Sequence, residues 1–387
     1  MRLLIFSAST VHRPAAYVNR CLSLAKGLAG GGHTVQIMCL EPSGAEPEEG
    51  TIEGIPYMHM ASGGQRRADR FRSLMGQTAR AAEHAVRALQ PDAALLLQQR
   101  TWQLEPLQHV LRRRRLPSVQ EYNEYPHAVV RNRAESLLVE YFLRVQARRF
   151  AGMALMTRRL EAFFLGRVRG CPPTVVIPMT VENERFADPG SRPFPFPYVA
   201  YCGKLVDDKD GVPILIDAFS RIASEFPDLR LVLVGGDRDA ATRQALERAV
   251  AGRCDGNRVV LTGRLSRQMV PAYLSHAQVL ALARPRSRQA EYGFPTKLGE
   301  YLASGRPVAV TAVGEIPEYL RDGDNARLAR PNDAGDFARV LRELLLAPEV
   351  AAEIGRRGRQ VARGVFDSHV QGQRLGEFIG LVSAFPR

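Results

Sequence analysis

Apolar residues along this 387-residue chain fall into short continuous runs, each followed by a turn and then by a stretch of helical spacing. In the first half, the runs at 3–6, 34–38, 93–97 and 117–120 read as buried strands. The stretches at about 19–28, 66–89, 104–114 and 135–150 read as helices. In the second half, strands are expected at 198–202, 229–234, 259–263, 279–283 and 308–310. Helices are expected there at about 213–225, 238–251, 269–275, 337–346 and 349–365, with a last amphipathic pattern over 368–383. Strands that are apolar throughout are buried on both faces, and strands alternating with helices build parallel sheets. The fold class is therefore α/β. Residues 41–54 are acidic and turn-rich and read as a surface loop. The segment 186–197 carries Pro189, Pro193, Pro195 and Pro197, a linker composition that divides two doubly wound halves at residue 190.

One stretch of the second half concentrates chemistry. Glu291 to Val308 reads EYGFPTKLGEYLASGRPV. Pro295 has the fixed φ that suits a first helical position, and Gly305 sits where the helix would stop in a left-handed conformation. Leu298 and Leu302 form an i, i+4 pair toward a core, and Lys297, Glu300, Tyr301 and Ser304 fall on a neighbouring face. A helix start gathers backbone N–H groups and partial positive charge, which favour an anion. Lys297 in the first turn runs against that dipole, so an anionic partner is expected for it. Glu300 is an acceptor-only side chain able to hold two hydroxyls. Phosphate beside ribose points to a sugar nucleotide. By contrast, Gly30, Gly31 and Gly32 follow a helix instead of opening one, so they form a stop and turn and not a dinucleotide fingerprint.

Composition narrows the partners. No apolar run approaches the ~20 residues of a membrane-spanning helix, and the first residues read as a strand and not as a leader. The five cysteines are scattered without a CxxC pair, so neither a disulfide framework nor a zinc site is expected, and the expected location is cytoplasmic. The formal charge is +13, and of 53 basic residues only Lys26, Lys204, Lys209 and Lys297 are lysine. Three of those four fall in stretches that read as phosphate-binding on other grounds. Residues 1–190 hold 25 basic against 17 acidic residues, a net of +8, and the remainder holds 28 against 23. Arginine clusters lie beside apolar helix residues in the first half, so an anionic membrane surface is an expected partner. Nucleic acid is not, since no reader motif or aromatic–basic interleaving occurs.

The pieces of the second half fit one ligand. Gly203-Lys204 follows a strand, where open α/β sheets bind ligands, with Lys209 in the next turn and Lys297 at the later helix start. Three ammonium groups there would neutralise a diphosphate as it leaves. This ordered set resembles the GT-B glycosyltransferases of family 4, retaining enzymes that use nucleotide-diphospho-sugars. The likeness spans nearly the whole chain. It rests on Gly32-His33-Thr34-Val35, Val176-Ile177-Pro178 with Glu182 to Phe186, and Gly203-Lys204-Leu205 with Lys209-Asp210-Gly211. Thr262-Gly263 also matches, and the most specific piece is Gly293-Phe294-Pro295-Thr296-Lys297 with Glu300-Tyr301-Leu302-Ala303 and Gly305-Arg306-Pro307-Val308.

The resemblance implies a GT-B fold: two Rossmann-like domains facing across a cleft, with acceptor binding in 1–190 and nucleotide-sugar binding in 191–365. A final helix, 366–387, would cross back to the first domain. Lys204 and Lys209 would contact the diphosphate and Glu300 the ribose hydroxyls. Gly203, Gly263, Tyr292, Gly293, Phe294, Pro295, Thr296 and Lys297 would line the donor. No cofactor or metal is implied, since the nucleotide sugar is a co-substrate. The acceptor would be a glycan or a lipid-linked sugar, and the enzyme would work in the cytoplasm or peripherally on the inner face of the plasma membrane.

Two departures stand out. Eight residues before Glu300, where the family carries a glutamate, lies Tyr292, with Glu291 one place out of register. Only a local bulge would bring Glu291 into that place. The first loop, 9–20, lacks the family's glycine pair, so acceptor contacts there do not transfer. For acceptor work Glu124 and His127 stand at a strand end of the first half, the one to orient a hydroxyl and the other to bind a phosphate or sugar hydroxyl. Loop polarity and local capping is the competing reading of both. Two other functions fit the same architecture: a sugar-nucleotide epimerase, or a degenerate nucleotide-sugar-binding protein.

Overall fold

The computed structural model describes residues 1–12, 16–44, 48–61, 70–97, 101–130, 132–205, 208–236, 244, 247–248, 250–251 and 256–384. The chain forms two compact units, Met1–Thr180 with Ser368–Arg387, and Val181–Asp367.

The first unit is built on strands β1 (Arg2–Ser7), β2 (Thr34–Gly44), β3 (Glu48–Ile52), β4 (Ile55–Ala61), β5 (Ala93–Leu97), β6 (Ser118–Tyr122), β7 (Gly152–Leu155) and β8 (Thr174–Val176). Their spatial order is β3-β4-β2-β1-β5-β6-β7-β8, with every pairing parallel except β3 with β4. Leu3, Leu4, Ile5 and Phe6 of the central β1 are all fully buried, as a doubly covered strand requires. Helices α1 (Ala16–Gly30), α2 (Arg70–Leu89), α3 (Thr101–Arg113), α4 (Arg133–Tyr141) and α5 (Arg158–Arg167) connect the strands. The long helix expected over 135–150 is broken. α4 passes into a π turn at Phe142–Gln146 and a 3₁₀ turn at Ala147–Arg149.

Of the surface loop expected at 41–54, residues 41–44 end β2 and 48–54 form β3 and its turn, while 45–47 lie outside the described residues. β3 turns into β4 through Glu53 and Gly54, at φ 49° and 84°, the two left-handed residues that a tight hairpin of the right twist needs. Adjacent Glu48 and Glu49, one on each face of β3, masked the alternation. Of the helix expected at 66–89, residues 66–69 lie outside the described residues, as does most of 238–251.

The second unit holds β9 (Tyr198–Cys202), β10 (Arg230–Val234), β11 (Val259–Gly263), β12 (Val279–Leu282), β13 (Val308–Thr311) and β14 (Arg327–Ala329). All are parallel, in the order β11-β10-β9-β12-β13-β14. Read from β9 as the first strand, this is the 3-2-1-4-5-6 order of a dinucleotide-binding sheet. Its helices are α6 (Val212–Ile222), α7 (Val270–Ser275), α8 (Arg288–Tyr292), α9 (Lys297–Ala303), α10 (Ile316–Tyr319), α11 (Ala334–Leu346) and α12 (Pro348–Gly364). The proline-rich segment expected as the boundary at 190 lies within this unit. Val181, just before it, bridges Asp367 and donates its N–H to the Phe366 carbonyl at 2.8 Å, and Phe186 at its start is buried. These ties pull the division back to Thr180.

A last helix, α13 (Ser368–Ala384), belongs to the first unit and packs along α1. The two helices meet glycine against glycine. A Cβ on Gly372 would lie 2.2 Å from the Gly27 carbonyl carbon, and one on Gly27 would lie 2.0 Å from the Ser368 carbonyl oxygen.

Candidate functional site

In the second unit the chain winds outward from β9 in one direction and from β12 in the other. Ligands of such sheets bind at the carboxyl ends of the strands beside that reversal. β9 delivers Tyr201, Cys202, Gly203 and Lys204 to this place. Tyr201 is fully buried, and its hydroxyl donates to the Lys204 carbonyl at 2.9 Å and to Asp210 Oδ2 at 3.1 Å. That holds the Gly203-Lys204 turn against the 3₁₀ turn Asp208–Asp210, which carries Lys209. Lys204 is exposed and Lys209 half-buried.

Asp210 is the residue that sequence reasoning missed. It is buried and accepts from the Lys297 ammonium through the same Oδ2. Burial alone would raise its carboxyl. The Lys297 charge and hydrogen bond, with the charges of Arg284 and Lys209, hold it below its ordinary value instead. The anionic partner expected for Lys297 is thus, in this chain, a carboxylate on the protein. The Lys297 side chain crosses Gly203, where a Cβ would lie 2.6 Å from Lys297 Cε. A larger residue there would displace the lysine end, at a backbone φ of 157° that favours glycine. The signal for Asp210 was present in Lys209-Asp210-Gly211, but its partner lies 87 residues away.

The stretch that organises the sequence is a helix pair. Ser287 caps α8 by accepting from the Ala290 N–H at 3.1 Å. Because α8 is helical, Glu291 and Tyr292 point about 100° apart around its axis. Glu291 lies 3.8 Å from Arg286. Gly293 and Pro295 are buried, and Thr296 is the residue before α9, with no side-chain cap bond. The Phe294 ring packs against Tyr319 and Phe366, at 5.5 and 5.6 Å between centroids, so its side chain is core and not ligand lining. α9 begins at Lys297, two residues after the proline, and ends before Gly305 at φ 74°.

Glu300 also has a protein partner. Its Oε1 accepts from Arg185 Nη1 at 2.6 Å, and Arg185 Nη2 donates to the Arg267 carbonyl at 2.7 Å. Arg267 pairs in turn with the buried Glu182. Gly263 ends β11 at φ 71°, and its carbonyl accepts from the Gly235 N–H at 3.0 Å. The sheet and α9 therefore gather Gly203, Lys204, Lys209 and Lys297, whereas Glu300 belongs to an ion-pair chain reaching back to Glu182.

In the first unit Glu124 and His127 follow β6, with His127 inside the 3₁₀ turn Pro126–Val129. Both are half-buried. The His127 ring lies 5.5 Å from that of Tyr125, and its Nε2 is 3.9 Å from Glu140 on α4. Beneath them β6 carries Glu121, fully buried, which accepts from Arg20 Nε at 3.1 Å. Arg20 also donates to the Ile177 carbonyl at 2.8 Å and to Thr180 at 3.3 Å. The sequence offers no metal-ligand spacing, yet the fold of this unit brings His12, Glu48 and His59 together.

Residues 196–346 match the family described as glycosyl transferases group 1. Over 214 residues the chain is 28% identical to a GDP-mannose-dependent alpha-(1-6)-phosphatidylinositol monomannoside mannosyltransferase of Mycolicibacterium smegmatis, covering 52% of this chain and 55% of that one. Over 251 residues it is 26% identical to a 2-deoxystreptamine glucosyltransferase of Streptomyces kanamyceticus, covering 62% of each. The chain spans about half the length of the curated relatives it matches. Among solved structures it is similar to sucrose-phosphate synthase from Thermosynechococcus elongatus, with a TM-score of 0.78 at 18% identity and 99% of both chains covered. It is also similar to Anabaena HepE in complex with UDP-glucose, with a TM-score of 0.75 at 15% identity, covering 98% of this chain and 100% of that one. The chain therefore takes the GT-B fold, and residues 196–346 of its second unit match the family of glycosyl transferases group 1.

Proposed function

We propose that this chain moves a sugar, with retention at the anomeric carbon, from a UDP- or GDP-linked donor to a glycan or lipid-linked acceptor in cell-surface polysaccharide or glycoconjugate synthesis. The observation that carries this reading is the cationic rim at the switch point of the second unit. Lys204 is exposed there, Lys209 half-buried, and Lys297 fixed by Asp210. Relatives of both donor types support it, one named as GDP-mannose-dependent and one solved with UDP-glucose.

In the proposed reaction the bond between the anomeric carbon and the donor phosphate breaks, and a bond to the acceptor oxygen forms on the same face. The acceptor proton passes to the departing phosphate. Lys204 and Lys209 stabilise the charge that develops on the diphosphate, and Lys297 fixes the turn that presents them. Glu300 holds the ribose hydroxyls while sharing its carboxylate with Arg185. Gly203, Gly263 and the backbone of Tyr292 to Thr296 complete the donor site. Glu124 and His127 are the acceptor-side candidates of the first unit. No step calls for a metal or a further cofactor.

The test is a panel of nucleotide sugars incubated with the chain and cell membranes. A labelled acceptor is expected from one donor. Lys204→Ala should lower turnover by about 100-fold or more while leaving the fold unchanged. Donor binding without turnover on any acceptor favours a binding protein, and isomerised donor without acceptor favours an epimerase.

A further inference from the structure

We propose that His12, Glu48 and His59 of the first unit bind a divalent transition-metal cation, zinc being the ion their chemistry fits best. One nitrogen of each histidine and one oxygen of Glu48 lie within 4.8 Å of one another. The β3–β4 hairpin builds most of the site. Its register sets Glu48 directly opposite His59, which puts both side chains on one face. Tyr57 stands on that face two residues before His59 and reaches diagonally across the hairpin. Its hydroxyl donates to Glu48 Oε1 at 3.0 Å. Gly50, opposite Tyr57, makes the crossing possible, since a Cβ there would lie 2.6 Å from the Tyr57 oxygen. His12 enters from the loop after β1, with its Nε2 at 2.9 Å from Glu48 Oε1.

The outer contacts are those of a ligand set. His59 Nδ1 faces the Glu41 carbonyl at 3.1 Å. An N–H there leaves the lone pair on Nε2, the tautomer that a metal-binding histidine fixed by a backbone carbonyl takes. Nε2 lies 3.4 Å from the Thr10 hydroxyl, a contact the ion would replace. Tyr57 orients the carboxylate in the same way. The two imidazole centroids are 5.3 Å apart. The rings are stacked with planes 9° apart, so placing one ion in both ring planes takes a rotation of the exposed His12 ring. The Glu41 carboxylate, held by the Ser9 hydroxyl and the Thr10 N–H, adds a second negative charge nearby. Two imidazoles and one carboxylate suit zinc better than calcium or magnesium, which take all-oxygen shells. Three protein ligands leave a fourth position open, and His12 is exposed. The site lies on first-unit residues and takes no part in the transfer chemistry proposed for the second.

The test uses the full chain stripped with a chelator. Titration with Zn²⁺ should show one ion per chain, and Co²⁺ should give the visible bands of a tetrahedral site, erased by added Zn²⁺. His12→Gln and Glu48→Gln should each weaken Zn²⁺ binding by at least about tenfold, since loss of an outer-shell partner alone costs about 10–100-fold. His12 lies at the surface, so His12→Gln is expected to keep the wild-type circular dichroism and remains informative if Glu48→Gln misfolds. Cys171→Ser should leave the affinity unchanged. The proposal is overturned by an absence of stoichiometric binding, by an octahedral Co²⁺ spectrum, or by Zn²⁺ affinity that survives His12→Gln.

Discussion

Asp210 shows how a single side chain can order a charged site. Its carboxylate is buried against Tyr201 and Lys297, with Arg284 and Lys209 acting on it by charge. Removing one member of a buried pair strands the other, so Asp210→Asn is expected to destabilise the chain by about 2 kcal/mol at neutral pH. That is below the full cost of breaking a buried pair, because Lys297 keeps some contact with solvent. The pH dependence follows from the direction of the shift. The folded carboxyl sits below its ordinary value of ~3.9, so the stabilisation is complete above that value and is lost as pH falls through the lower, folded one. Urea melts of wild type and Asp210→Asn should therefore differ at pH 7 and converge in strong acid. A difference that persists unchanged in acid would contradict the pair. Lys204 and Lys209 were legible in the sequence because lysine is so rare here. Their organiser was not, because aspartate in a polar turn is unremarkable until its partner is known. The same holds for Arg20 and Glu121, one of many arginines and one of many glutamates until the fold buries them together.

At the scale of elements, strands with continuous apolar runs were found where the periodicity placed them, and so were most helices. The pattern failed where an element was short or half-exposed. β7, β8 and β14 have four residues or fewer, and β3 alternates intermediate with exposed positions. Nor could periodicity show that α8 is a helical turn. The contact of α13 with α1 carries a prediction of its own. Gly372→Ala would set a methyl group against the Gly27 backbone, and backbone cannot rotate aside as a side chain can. The helices are expected to separate, at a cost of about 1–3 kcal/mol. The thermal midpoint should fall, whereas Gly364→Ala, which meets nothing within 4 Å, should leave it nearly unchanged. An unshifted midpoint in Gly372→Ala would mean the helices do not approach so closely.

For the whole molecule, composition fixed the number of units, and linker composition misplaced their division. Prolines mark where chain is extended, but not which unit the extended chain lies against. The charge surplus has a structural counterpart in the first unit. α4 buries none of its residues, and Leu137 is 71% exposed, with Leu138 and Tyr141 exposed beside it. On α5 Leu165 is 56% exposed, and Arg133, Arg144, Arg158, Arg159 and Arg167 are exposed on the same two helices and the turn after α4. Apolar side chains among arginines suit an anionic bilayer surface, and no described helix is long and apolar enough to cross a membrane. The chain is expected to co-sediment with anionic vesicles and to be released by salt. Leu137→Asp should weaken that binding while leaving soluble-donor binding intact. Equal sedimentation with neutral vesicles would refute the electrostatic part.

The return of α13 to α1 has a consequence for how the chain is made. During synthesis β1 to β8 leave the ribosome first, yet their unit lacks its last helix until Ser368 and beyond have emerged. The second unit, continuous from Val181 to Asp367, is complete before that. Domains generally fold as units as the chain emerges. Here the later-made unit is the earlier one able to finish, while the surface of α1 that will receive α13 stays uncovered. Contacts between Gly27 and Gly372 join nearly opposite ends of the chain, and such long-range closure is intrinsically slow. A nascent chain stalled before Ser368 would therefore offer chaperones an apolar helix face along α1 that the finished protein never shows.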